Sequence, residues 1–226
     1  YLGGTQYENT NGIAVDGSGN AYIAGATWSP DFPVTADAIR KNFGGVKTAF
    51  VAMLNGSGTS LNYSSYLGES SEARGIALDP SGAVYVAGVT GSKNFPTTPG
   101  SFAPATTYPF QNGFLVKFVH AQSWSVAYST FLIGENVGGE VDVSGIAVDA
   151  FGRAILAGNT NQVQFPLTRD AIQLVRYGSV DLDVFVVQFS PNGDSLVYST
   201  LLGGSFNEYA KGIAIDANGG VYVAGT

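Results

Sequence analysis

Gly12-Ile-Ala-Val-Asp16, then Gly-Ser-Gly, then Asn20-Ala-Tyr-Ile-Ala-Gly-Ala-Thr27 is the stretch that decides the fold, because it comes back three times. It returns as Gly75-Ile-Ala-Leu-Asp79 with Ala83-Val-Tyr-Val-Ala-Gly-Val-Thr90. The next copy is Gly145-Ile-Ala-Val-Asp149 with Arg153-Ala-Ile-Leu-Ala-Gly-Asn-Thr160, and the last is Gly212-Ile-Ala-Ile-Asp216 with Gly220-Val-Tyr-Val-Ala-Gly-Thr226. The leading glycines lie 63, 70 and 67 residues apart, so the 226-residue chain reads as a single array of similar units.

Working outward from this stretch gives four strands per unit. The Gly-Ile-Ala-Val-Asp run is strand A and the Ala-Tyr-Ile-Ala-Gly run strand B, two short apolar segments flanking a turn. Asp16-Gly-Ser-Gly, Asp79-Pro-Ser-Gly, Asp149-Ala-Phe-Gly and Asp216-Ala-Asn-Gly are turn sequences with a physical reason. The Asp side chain caps its own turn, Pro80 presets φ, and Gly accepts positive φ. A longer connection carries Phe32-Pro, Phe95-Pro and Phe165-Pro, where the ring is expected to plug a gap between sheets while Pro keeps out of the ladder. Ala36–Arg40 and Asp170–Gln173 are expected to form one helical turn each, with Ser101–Ala103 as the counterpart. Strand C follows at Ala49–Leu54, Phe114–Phe118 and Val184–Phe189, and then a turn such as Asn55-Gly-Ser-Gly58 or Ser190-Pro-Asn-Gly193. Strand D ends each unit with Tyr63-Ser-Ser-Tyr, Tyr128-Ser-Thr-Phe or Tyr198-Ser-Thr-Leu. Tyr1–Gly4 reads as the tail of such a D strand.

Four short antiparallel strands per repeat make the unit of a β-propeller blade. The expectation is an all-β propeller in one domain, residues 1–226, with repeats at about 5–68, 69–134 and 135–204 and partial repeats at 1–4 and 205–226. Residue 1 already sits inside a repeat and no signal peptide is visible. The chain therefore reads as a piece of a larger propeller, or as a subunit whose half blades are completed by neighbouring copies.

Hydrophobic residues make up 45% of the chain and charged ones 12%, about half the usual charged share. A polar but uncharged surface points to a secreted or cell-surface protein. There is no cysteine, so stability rests on burial and strand pairing. Ten basic residues scattered singly in a chain of net charge −7 exclude nucleic acid as a partner and argue against anionic membrane surfaces. No apolar run approaches 18 residues, so no membrane-inserting helix is expected.

The recurring elements Gly-Ile-Ala-Val-Asp, Gly-Asn-Ala-Tyr-Ile-Ala-Gly, Phe-Pro-x-Thr, Phe-Val-x-x-Leu and Tyr-Ser-Thr-x-Leu-Gly-Gly resemble the SBBP family of bacterial β-propeller repeats. The first half of each unit is also similar to an NHL repeat. The resemblance implies a propeller in secreted or surface-attached bacterial proteins, and it implies no catalytic activity. The family pattern often has Asp just before strand C. Only Asp183 keeps it here, against Thr48 and Asn112, which reads as a structural position.

Few residues invite chemistry. Asp16, Ser18 and Asn20 alternate like calcium ligands, yet the other copies lose those ligands and none supplies a late bidentate Glu, so no cofactor is expected, with calcium as the alternative. Asp16, Asp79, Asp149 and Asp216 read as turn formers. His120, the single histidine, excludes multi-histidine zinc sites and falls at a C–D turn. Asp181 with Asp183 is a close carboxylate pair, and Glu140 with Asp142 reads as solvated in the longest loop. Asn55 and Asn62 lie in glycosylation sequons. The non-repeating aromatics Trp28, Tyr108, Phe110 and Trp124, on or beside connections, are the candidates for a binding surface. The reading is a non-enzymatic extracellular module that binds protein or glycan in adhesion or scaffolding. The alternatives are a self-assembling structural subunit and a lyase- or lactonase-like propeller enzyme with an axial site.

Overall fold

The computed structural model describes residues 1–107, 111–134, 138–177 and 181–226, and every regular element among them is a strand. The first repeat holds β1 (Glu8–Val15), β2 (Ala21–Thr27), β3 (Thr48–Leu54) and β4 (Leu61–Glu69). The second holds β5 (Ser71–Leu78), β6 (Val84–Thr90), β7 (Asn112–His120) and β8 (Trp124–Leu132). The third holds β9 (Val141–Val148), β10 (Ala154–Thr160), β11 (Asp183–Phe189) and β12 (Leu196–Leu202), and β13 (Ala210–Ile215) and β14 (Val221–Gly225) follow. Each repeat is a four-stranded antiparallel meander in chain order, and the last pair is a hairpin. The inner strands β1, β5, β9 and β13 pack in sequence on one another. Sheets stacked through their inner strands are propeller blades.

The A–B turn is built the same way four times. The Oδ1 atom of Asp16 accepts the Ser18 and Asn20 amides, both at 2.9 Å. Asp79, Asp149 and Asp216 hold the amides two and four residues on at 2.8–3.0 Å. The closing glycines Gly19, Gly82, Gly152 and Gly219 take φ of 80, 84, 76 and 86°, a region that penalises a Cβ.

The Ala-Gly pair of strand B answers to a bulge in strand A. Register slips between Thr10 and Gly12, Ala73 and Gly75, Val143 and Gly145, and Ala210 and Gly212. One residue in each inner strand is thereby unpaired: Asn11, Arg74, Ser144 and Lys211. Opposite the bulge, a Cβ on Gly25, Gly88, Gly158 or Gly225 would overlap the carbonyl oxygen of Asn9, Glu72, Asp142 or Tyr209. Only glycine fits there.

The Phe-Pro connections plug the blades as expected. Phe32, Phe95 and Phe165 are buried with ring centroids 4.5, 4.4 and 4.9 Å from Phe50, Phe114 and Phe185 of strand C. Contact at this range adds ~1 kcal/mol per pair beyond area burial. Thr48, Asn112 and Asp183, the residues that open strand C, are all buried.

Three expectations are corrected. Tyr1–Gly4 forms no strand; Leu2 packs instead against the cluster of Phe32, Phe50 and Tyr66. The segments expected to form one helical turn each are not helical: each closes a lone four-residue turn, with one bond from the amides of Ala38, Ser101 and Ala171 to the carbonyls of Thr35, Thr98 and Thr168. Right after each turn the chain is tied to strand D, where the amides of Tyr66, Phe131 and Leu201 donate to the carbonyls of Arg40, Ala103 and Gln173, and this leaves no room for a helical turn. Asp142 lies on strand β9, facing Arg74 of the preceding blade, and is not in a loop.

Candidate functional site

The first and second blades enclose a cleft of about 470 Å³ at the end that carries the A–B turns. Its origin is a change in the C–D turn. In the third blade the tight Ser190–Gly193 turn lays its backbone against Tyr128 of the second blade. In the second blade β7 runs on to His120, which pairs with Trp124 at the start of β8. The indole of Trp124 covers Tyr63 of the first blade in place of that backbone, with centroids 5.3 Å apart, and meets Tyr22 at 6.4 Å. His120, expected in the C–D turn, is instead the exposed last residue of β7, and its ring packs tilted against Trp124 at 5.0 Å.

Asn20, Asn62 and Asp16 of the first blade line the opposite wall. Asn20 donates to Asp16 Oδ2 at 2.7 Å and the Tyr22 hydroxyl to the same oxygen at 3.2 Å. These bonds, the Asn20 side chain first, hold the Asp16 carboxyl below its usual range. Burial, with the charge of Asp16, pushes the Tyr22 phenol up to about 12. The cleft thus presents a half-buried indole, an imidazole and two carboxamides, with one carboxylate already engaged. Between the second and third blades the same space is closed. Lys117 reaches Pro191 O at 3.4 Å and the Asp79 carboxylate at 4.0 Å, over the Tyr85 ring at 4.9 Å.

A second polar cluster lies along the inner strands, where the bulges aim side chains at the next blade. Asn11 donates to Glu72 Oε1 at 3.0 Å and to Ala73 O at 2.8 Å. Arg74 stands 3.6 Å from Glu72 and 4.0 Å from Asp142, and Lys47 binds Glu72 at 2.9 Å. Burial raises both carboxyls. Lys47, Arg74 and Asn11 outweigh it at Glu72, which ends below its usual range, whereas Asp142 ends above. Two carboxylates, Glu72 and Asp142, converge here on Arg74.

The four turn aspartates line one mouth of about 970 Å³, each committed to its own turn. In the third turn Arg153 and Gln188 replace the tyrosine hydroxyl on Asp149, at 2.5 and 3.3 Å. Among the described residues no group of three His, Cys, Asp or Glu converges as a metal site.

Of the binding candidates, Trp124 lies in the cleft, beside Asp16 and Asn20. Trp28 stands at the other end of β2, edge-on to Tyr7 at 5.1 Å, with Lys47 6.0 Å above the ring. Tyr108 and Phe110 lie outside the described residues. Ser18 sits at the exposed turn tip. Asp183 is buried at the start of β11 with Asp181 half-buried before it. Asn55 caps its own C–D turn through bonds to Thr59 and Ser60, and Asn62 is exposed. Sequence reasoning missed Glu72 as a partner of Arg74, and read Asn62 as a sequon only. The signal for Glu72 was the bulge at Arg74, which no residue pattern announces before the strands are paired.

Compared with known proteins, the family model of the SBBP β-propeller repeat matches residues 1–33, 62–96 and 197–226. No curated protein matches the chain. Among solved structures, one described provisionally as a gluconolactonase is 14% identical, with a TM-score of 0.44. The alignment covers 96% of this chain and 55% of that one, so the chain spans about half that protein's length.

Proposed function

We propose that this chain, which carries SBBP β-propeller repeats, is a non-enzymatic binding module whose cleft between the first and second blades takes an uncharged, hydroxyl-rich ligand such as an oligosaccharide. One observation carries the reading. Trp124, His120, Asn20 and Asn62 meet in a 470 Å³ cleft at the blade junction where Met53 stands at the register that Lys117 occupies one blade on. Aromatic edges with carboxamides suit sugar rings, which offer apolar faces and many hydroxyls. A surface poor in charge suits a neutral partner. We place the protein outside the cell or on its surface, in a bacterium, in adhesion or scaffolding. Binding needs no metal, so chelation leaves it unchanged.

The test is a titration of the 226-residue chain with neutral oligosaccharides, followed by tryptophan fluorescence and by amide shifts. Saturable shifts at Trp124 and Asn62, lost at least tenfold in His120→Ala and Asn62→Ala, are expected. No saturable binding, or binding indifferent to both changes, rejects the reading.

A second reading, a lyase- or lactonase-like enzyme, draws on one feature. Glu72 and Asp142 flank Arg74 with carboxyls pushed in opposite directions, a pattern that divides acid from base in enzymes. Lactone hydrolysis abolished by Arg74→Ala and Asp142→Asn would favour it over the first.

A further inference from the structure

Phe102 fills a slot between the second and third blades that recurs, with no ring in it, between the first and second. Its N–H donates to Gly193 O of the third blade at 2.8 Å. Its ring stands edge-on to Phe189 at 5.8 Å and packs in a cluster with Leu196 and Leu167. One junction earlier the repeat-equivalent residues are Ile39 for Phe102, Thr97 for Leu167 and Val126 for Leu196; β7–β8 pairs Phe118 with Val126 just as β11–β12 pairs Phe189 with Leu196. All three are smaller. What remains is a cavity of about 180 Å³ walled by Tyr66, Phe95, Val116, Phe118 and Val126, with half-exposed Ile39 at its edge.

The polar groups at the rim are already satisfied inside the protein. Ser129 Oγ donates to Pro96 O at 2.6 Å, the Ser129 carbonyl accepts the Thr98 amide at 2.9 Å, and Thr97 Oγ1 donates to Pro104 O at 2.5 Å. Water entering the slot finds apolar walls. An apolar cavity of ~150 Å³ is known to stay dry and to take a benzene-sized guest. We propose that this slot binds one uncharged aromatic ring of a small molecule, in the place that Phe102 occupies at the next junction. The site is distinct from the Trp124 cleft and stands whether or not that cleft binds sugar.

The experiment titrates the isotopically labelled 226-residue chain with indole and follows amide shifts. Saturable shifts are expected at Ile39, Thr97, Thr98 and Val126. Ile39→Phe and Thr97→Leu each fill the slot from within and lower the affinity at least tenfold, while thermal melts show them folded. Either variant decides if the other does not fold. No saturable shift, shifts at Trp124 and His120 instead, or binding that survives the folded variants overturns the proposal.

Discussion

The Tyr85 hydroxyl lies 2.9 Å from the Asp79 carboxylate of its own blade and 3.0 Å from the Gly152 carbonyl of the next. One phenol thus ties an A–B turn to its neighbour. Burial, reinforced by Asp79, drives the phenol far above its usual range and keeps it a donor. In the third turn, where Ile155 stands in place of Tyr, Arg153 and Gln188 reach the aspartate.

Removing Asp79 strands the buried amide of Ala83 and takes an acceptor from the buried Tyr85 hydroxyl, while the Ser81 amide at the exposed turn tip turns to water. Asp79→Ala is expected to cost about 3 kcal/mol, since a buried donor left without a partner bears its full desolvation. For a chain of this size the melting temperature falls by roughly 6–12 °C. The same change at Asp216, which is half-buried in the terminal hairpin, has a smaller effect. Calorimetry on both variants checks the difference.

Asp79 also fixes a pH dependence. Burial raises its carboxyl, but bonds from Ser81, Tyr85 and Ala83 outweigh this and leave it below its usual range. Its stabilisation is therefore present above the unfolded value, about 3.9, and is lost as pH falls through the lower folded value. Asp79→Asn is expected to flatten that acid limb in a melt series from neutral pH down to 2.

Asp183 runs the other way. Burial, with Glu208 adding to it, raises its carboxyl, and Oδ1 has no hydrogen-bond partner among the described residues. The raised group contributes stability below its unfolded pKa that is lost as pH rises through the folded one, so at neutral pH its charge is a burden. The second repeat has Asn112 at this register. Asp183→Asn is expected to stabilise the neutral protein by about 1 kcal/mol, read as a rise of roughly 2–4 °C.

Gly88 faces the Glu72 carbonyl across the bulge, with no space for a methyl group. Gly88→Ala is expected to cost about 3 kcal/mol or more, because the obstacle is backbone. Gly17→Ala, where a Cβ meets nothing within 4 Å, leaves stability unchanged. Urea titrations of the pair give the comparison.

The two end faces of the array expose residues that are buried within it. Ile13 is 66% exposed where its equivalent Ile76 is 8%, and Tyr222 is 60% where Tyr85 is 0%. The 226-residue chain is expected to self-associate through these faces, and Ile13→Lys with Tyr222→Glu to keep it monomeric. Light scattering against concentration is the measurement, and a wild-type chain that stays monomeric throughout refutes the expectation.

The repeat itself was legible in the sequence, because turn chemistry and strand patterning are local. Asp and Gly set the A–B turn wherever they occur three residues apart, and short β-branched runs on either side can only pair. The Phe plugs were legible for the same reason, each lying beside a proline that bars it from a ladder. What only the tertiary structure decided is which copies differ in their surroundings. Arg74 and Asp142 meet across 68 positions, Trp124 replaces a turn backbone against Tyr63, and Ile39 leaves open the slot that Phe102 closes. Each depends on the register of one blade against the next. That register is set by bulges and inter-blade packing, which join residues far apart in the chain and leave no periodic mark on it.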